Sequence, residues 1–244
     1  SGRRTIPYMD LVKRMRGPTK HPLIVFLKDP RGGRKSTDFV WAPVHDQLSG
    51  AGVISTHTSP HTLTANALKS AAETAKVRFA DFPCPVTGII LGGDSGSVKW
   101  NGASSDAFAN KLKSLPDTGS VLITNSRRTP DVLYDKVREA LAGHRHWSWT
   151  GEDANPYAEI LAHADRFIVT GDSHNMVSES LAGGKCVYVH RPPNLQKKLN
   201  SFLDAMVKMG AIRDFTNGLP EFDPVKVDAT TEIASAIEEI LQQF

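Results

Sequence analysis

An α/β fold built on a doubly wound parallel sheet is the class that residues 86–244 predict, and three observations predict it. Short β-branched runs alternate with stretches of helical periodicity, the pattern of βα units that feed a parallel sheet. The longest apolar runs, such as GIIL and CVYV, have strand length and fall well short of the ~20 residues that cross a bilayer. The segments after the strands are small and polar, and it is outside the carboxyl ends of such strands that open α/β sheets bind ligands.

Upstream of Val86 the pattern is looser. Strands are expected at 23–27, 39–41 and 53–55 and a helix at 64–78, with PCP at 83–85 as a hinge. The expected division is therefore a partial α/β domain over 1–85 and a Rossmann-like domain over 86–244. In the second domain VTGIIL at 86–91 reads as a strand, GGDSGSVKWNG as a loop, 106–115 as a helix and SVLIT at 120–124 as the next strand, ending at NSRRTP. Pro130 suits a first helical turn, and 131–142 places Val132, Leu133, Val137 and Leu141 on one face. HWSWT returns as a strand along which Trp147 and Trp149 alternate as packing residues. Asn155 is expected to cap a helix that starts at Pro156 and runs to about 163. RFIVT at 166–170 is a strand and 173–181 a helix, which Gly183 and Gly184 stop ahead of CVYVH. Residues 196–209 and 230–243 read as amphipathic helices, so five strands are expected in this half.

Composition narrows the class. With 40% hydrophobic and 23% charged residues in 244, and a mean hydropathy of -0.28, the chain has the make-up of a globular protein that buries one large core or two modest ones. Without a spanning run or a signal-type leader, a cytoplasmic location is expected, peripheral on a membrane if the basic front docks there. Cys84 and Cys186 lie far apart, and neither a disulfide nor a metal site is expected. The net charge of +3 hides an asymmetry, since residues 1–35 hold ten Lys or Arg against Asp10 and Asp29. Such a front suits an anionic partner, a lipid surface or a phosphorylated substrate, rather than nucleic acid in this reading. The chain opens without Met in a polar, basic phrase, which points to a piece of a longer protein.

The candidate chemistry follows the strands. Gly92, Gly93, Asp94, Ser95, Gly96 and Ser97 offer glycines for close backbone approach and hydroxyls for phosphate oxygens, or form a tight surface turn. Ser126, Arg127 and Arg128 put two guanidiniums beside a helix start, where arginine pairs bidentately with phosphate. Gly171, Asp172, Ser173, His174, Asn175, Met176, Val177, Ser178 and Glu179 lead a turn of small polar residues straight into a helix, which makes an anion site. There Glu179 stands one turn on, placed to accept both ribose hydroxyls, or is an exposed helical residue behind a simple N-cap. In the N-terminal part His45 follows a strand and titrates near neutrality, which suits a base for an acceptor hydroxyl with Asp46 orienting it, or a loop residue with a structural bond. His57 and His61 lack metal-ligand spacing.

These phrases carry a resemblance. ADRFIVTGDSHNMVSESLAGGKCVYVHRP is similar to the donor-binding segment of GT-B glycosyltransferases of the MurG type. Over nearly the whole chain, SGRR (1–4), LKDPR (27–31), PVHDQL (43–48), LGGDS (91–95), TNSRRTP (124–130), GEDANPY (151–157) and GDSHNMVSE (171–179) resemble, in order, the ELM1-like family. That family is known from a plant mitochondrial fission factor and from bacterial proteins labelled nucleoside-diphosphate-sugar epimerases. The resemblance implies a GT-B-like fold with an N-terminally truncated acceptor-side domain and a C-terminal domain that binds a nucleotide-diphosphate sugar, probed first as a UDP-sugar. It implies Glu179 on the ribose, Ser173 and the amides near Met176 and Val177 on the diphosphate, Ser126 and Arg127 beside the donor, and Asn155 and Tyr157 lining the base or sugar pocket. Gln196 resembles a donor-sugar glutamine, although the asparagine-alanine that follows in that pattern is matched only loosely by Asn200 and Ser201. The implied activity is sugar transfer to an acceptor hydroxyl, lipid-linked at an anionic membrane in one version, without a metal or cofactor. The alternatives are an epimerase and a non-catalytic recruitment scaffold.

Overall fold

A computed structural model describes residues 2–16, 21–96 and 98–242. Ser97 of the glycine loop, Lys20 of the basic front, Ser1 of the SGRR phrase and the last residue of the expected helix at 230–243 lie outside the described residues. The chain divides into two compact units, residues 1–60 with 228–244, and residues 61–227.

The first unit opens with α1 (Ile6–Met15) and carries three parallel strands, β1 (Val25–Leu27), β2 (Phe39–Pro43) and β3 (Val53–Thr56), in the order β1-β2-β3. Because β2 is central, every one of its residues is buried. The face that carries Phe39 and Trp41 is covered by α8 (Ala229–Leu241), which lays Ala229 and Ile233 on it with Ala236, Ile237 and Ile240 alongside. That spacing of four and three is the apolar stripe of a helix on a sheet.

The second unit contains α2 (Ala65–Arg78), β4 (Val86–Leu91), α3 (Gly102–Leu112), β5 (Ser120–Asn125), α4 (Asp131–Ala140), β6 (His146–Ser148), α5 (Tyr157–His163), β7 (Arg166–Thr170), α6 (His174–Ser180), β8 (Cys186–His190), α7 (Lys197–Lys208) and β9 (Arg213–Asp214). Its six strands pair in parallel in the order β6-β5-β4-β7-β8-β9. The chain starts in the middle at β4, adds β5 and β6 on one side, then crosses to add β7, β8 and β9 on the other. A doubly wound sheet of this order has its topological switch between β4 and β7, and the crevice at their carboxyl ends is where ligands bind. Ile89, Leu122, Ile168 and Val187 are fully buried at the centre.

The α/β class expected from the sequence is the class of the structure. The boundary is drawn differently from the expected hinge at 83–85. Helix α2 packs on α5, and Phe79 at its end enters the same core edge-on to Trp147, with ring centroids 5.4 Å apart. At the other end, α8 leaves the second unit and closes the first. Helix α3 begins at Gly102, ahead of the expected 106, because Asn101 and Ser104 form a reciprocal capping box that fixes the start. The sixth strand, β9, is two residues long and carries no periodicity to read. Asn155 does not cap α5: Pro156 takes that position, and the Asn155 amide oxygen instead accepts from Thr124 Oγ1 at 3.0 Å.

At the end of β8 a buried histidine gives a measurable pH dependence. The His190 ring stacks on Phe108 at 4.4 Å and neither ring nitrogen has a partner among the described residues. Burial, with Lys111 nearby, pulls its pKa down to about 3. The unfolded chain protonates near 6.5 while the folded one does not, so the stability held above 6.5 is lost as pH falls from 6.5 toward 3. The slope this adds approaches ~1.4 kcal/mol per pH unit inside that window. His190→Leu is expected to flatten it, measured by urea unfolding at several pH values; an unchanged slope contradicts the assignment.

Candidate functional site

The loops after β4, β5 and β7 share one edge of the sheet, and there the structure brings the expected residues together. Gly92 and Gly93 are buried, and their amides are engaged inside the protein. Gly92 N donates to Thr170 Oγ1 and Gly93 N to Asp172 Oδ2, each at 2.7 Å. A Cβ on Gly92 would stand 2.1 Å from that Asp172 oxygen, and one on Gly93 would stand 2.1 Å from the Arg128 carbonyl. Glycine is required here because neighbouring loops close on the backbone, and the approach expected of a phosphate is taken by protein. The Ser126 and Thr129 hydroxyls both donate to the Gly92 carbonyl, and Asp94 N donates to Arg128 O at 2.9 Å. Ser95 accepts from Val98 N at 3.2 Å within its own loop.

Asp172 is 5% exposed, and burial raises its carboxyl above the ordinary range against the lowering pull of its hydrogen bonds. It latches the glycine loop to β7. Thr129 and Thr170 do the same work and escaped the sequence reading; their only signal is a hydroxyl at a strand end or loop turn.

Two guanidiniums remain outward. Arg127 and Arg128 are exposed, Arg128 reaching the Asp94 carbonyl at 3.4 Å and Arg127 having no recorded side-chain partner among the described residues. On α6, Ser173 is the N-cap, its hydroxyl accepting from Met176 N at 3.4 Å while its carbonyl accepts from Val177 N at 3.2 Å. The amides of Met176 and Val177 are therefore committed within the helix. Ser178 turns its hydroxyl back onto the His174 carbonyl at 2.8 Å, a helix-internal bond.

Among the expected ligands, Glu179 and Tyr157 also pair directly, side chain to side chain. The Tyr157 hydroxyl donates to Glu179 Oε2 at 2.8 Å, and burial, reinforced by that carboxylate, pushes the phenol up so that it stays protonated. A neutral phenol on one carboxylate oxygen fixes the orientation of the other, for which the described residues record no partner. Asn155 is exposed two residues before Tyr157, and Gln196 is exposed at the N-cap of α7. His45 and Asp46 belong to the first unit, half-buried in a 3-10 turn directly after β2. Among the described residues no group of three His, Cys, Asp or Glu is arranged to hold a metal ion, and no helix is long and apolar enough to cross a membrane.

Comparison with known proteins follows from this geometry. The family model described as Mitochondrial fission ELM1 matches residues 1–241. The chain is 25% identical over 240 residues to the mitochondrial fission protein ELM1 of Arabidopsis thaliana, covering 88% of this chain and 56% of that protein. It is 27% identical over 166 residues to the uncharacterized protein RP120 of Rickettsia prowazekii (strain Madrid E), covering 64% and 46%. The chain thus spans about half the length of the curated relatives it matches. Among solved structures it is similar to MurG of Acinetobacter baumannii, with TM-score 0.47 and 15% identity over 99% of this chain and 63% of that one. It is also similar to a ugt transferase of Siraitia grosvenorii in complex with UDP, with TM-score 0.43 and 15% identity over 87% and 50%. Likenesses at this level carry no functional weight.

Proposed function

The chain belongs to the mitochondrial fission ELM1 family, and from that premise we propose that its second unit binds a nucleotide-diphosphate sugar at the carboxyl ends of β5 and β7. The observation that carries this reading is the Glu179 carboxylate oriented by Tyr157 at 2.8 Å. A carboxylate with one oxygen fixed by a phenol leaves the other for the paired hydroxyls of a ribose. Arg127 and Arg128 then supply the charge for the diphosphate, in place of a metal ion, and Asn155 lies against the base or sugar.

In the reaction we propose, an acceptor hydroxyl attacks the anomeric carbon in line, the new glycosidic bond forms as the bond to the diphosphate breaks, and the hydroxyl proton passes to a base. The departing diphosphate carries the developing charge, so the arginines contribute most in the transition state. The acceptor in this reading is carried at an anionic membrane surface, to which the basic front is attracted.

A second reading, a recruitment scaffold that keeps the fold without turnover, is favoured by one observation. Asp172, Gly92 and Gly93 fill the switch-point crevice with the protein's own bonds. An epimerase needs two carboxyl groups facing one sugar, and nothing favours it, since Asp172 is bound to the Gly93 amide.

Calorimetric titration of the protein with UDP and UDP-sugars in EDTA tests the proposal. Saturable binding supports it, and at 100 times its dissociation constant the ligand stabilises the fold by ~2.7 kcal/mol. Absence of binding to every nucleotide sugar tried leaves the scaffold.

A further inference from the structure

Helix α1 is mounted inside out. Polar side chains on it and at its C-cap face the protein: Arg16 donates to both oxygens of Asp38 at 2.5 and 2.7 Å, Lys13 donates to the Lys35 carbonyl at 2.6 Å, and Asp10 accepts from Ser36. Burial alone would raise the Asp38 carboxyl, but the Arg16 guanidinium and the Ile24 amide outweigh it and hold the carboxyl ionised. Ile6 seats the helix directly over Gly33, at a distance that leaves no room for a Cβ there.

Four of its apolar residues face outward instead. Tyr8 is 71% exposed, Leu11 48%, Val12 37% and Met15 76%, and their spacing of three, four and seven makes one continuous stripe. Beside the stripe an open groove of about 290 Å³ runs between α1 and residues 22–25. Of the exposed cations nearby in sequence, Arg4 precedes the helix and Arg14 lies on it one turn after Leu11, while Arg31 and Lys35 belong to the 3-10 segment Arg31–Ser36 that packs on its opposite, polar face.

From this arrangement we infer that α1 is an interfacial anchor, pressing Tyr8, Leu11, Val12 and Met15 into the headgroup boundary of an anionic bilayer while Arg4 and Arg14 contact lipid phosphates. An apolar stripe bordered by cations, with a tyrosine among its members, has the chemistry of a helix lying in that interface. The charge selects the occupant. A second copy docked stripe to stripe would face these arginines with its own, whereas each Lys or Arg near an anionic lipid surface strengthens binding. The inference gives a surface to the membrane part of the proposed function, and its observations are independent of the nucleotide site.

Flotation of the full chain with phosphatidylcholine vesicles, with and without 30% phosphatidylglycerol, tests it. The expected result is flotation with the anionic vesicles only, reduced by high salt, about fivefold weaker in Arg14→Glu, and lost in the double variant Leu11→Glu, Met15→Glu. Both altered positions are exposed, so thermal unfolding and UDP binding should be unchanged in these variants. In Tyr8→Trp the added indole reports the contact independently, its emission shifting to the blue on anionic vesicles. The inference is overturned by equal binding to neutral vesicles, by flotation that survives the double Glu variant, or by a dimer that this variant dissolves without flotation by either protein. UDP binding distinguishes the two readings, since failure to float with UDP binding retained removes the anchor alone.

Discussion

Glu179→Ala is expected to weaken UDP binding by roughly 100-fold while the fold is retained. A carboxylate that accepts two ribose hydroxyls makes two charge-assisted hydrogen bonds, each worth about 1.5 to 3 kcal/mol. Net of water, about 3 kcal/mol is lost, which is about two decades in the dissociation constant. The stability cost is smaller, because what remains is a half-buried Tyr157 hydroxyl short of its acceptor, a loss of about 1 kcal/mol. Glu179→Gln keeps the shape and one acceptor and should fall between, near tenfold. Calorimetry on the three proteins checks the order; equal affinities in wild type and Glu179→Ala would remove the ribose from this helix.

Gly93→Ala is expected to destabilise the second unit by about 3 kcal/mol, the upper range of overpacking costs. The added methyl meets the Arg128 carbonyl oxygen at 2.1 Å, its carbon at 2.2 Å and the Thr129 nitrogen at 2.4 Å, all backbone atoms that cannot rotate away. The loops after β4 and β5 must part, and the Asp94 to Arg128 and Gly93 to Asp172 bonds go with them. At about 2 to 4 °C per kcal/mol for a chain of this size, the melting temperature falls by ~10 °C. Gly96→Ala, in the same loop with nothing within 4 Å, is the control and should lie within ~0.5 kcal/mol of wild type. Equal stabilities of the two variants would contradict the loop packing.

Much of the second unit was legible because its central strands are bounded by clear punctuation. RFIVT and VTGIIL occupy the residues their patterns indicate, and Thr64 caps α2 through its hydroxyl on the Ala67 amide. What escaped was decided by contacts distant in sequence. The unit boundary depends on α2 meeting α5, and no local composition marks that. The glycines after β4 read as room for a phosphate, since a sequence does not show that Asp172, 79 residues away, fills the space. The outward direction of the α1 apolar stripe depends on Asp38 and Ser36 binding the opposite face, which no local pattern shows. Of the site itself, the pairing of Glu179 with Tyr157 is the part that only the fold could supply, bringing the starts of α5 and the body of α6 within one hydrogen bond.

The central claim is that one ligand bridges the loops after β5 and β7. Amide hydrogen exchange with and without saturating UDP tests it most directly. Slowed exchange confined to residues 126–129, 155–158 and 171–180 is the expected result. Exchange left unchanged in those segments under saturating UDP, or protection falling elsewhere in the chain, would contradict it.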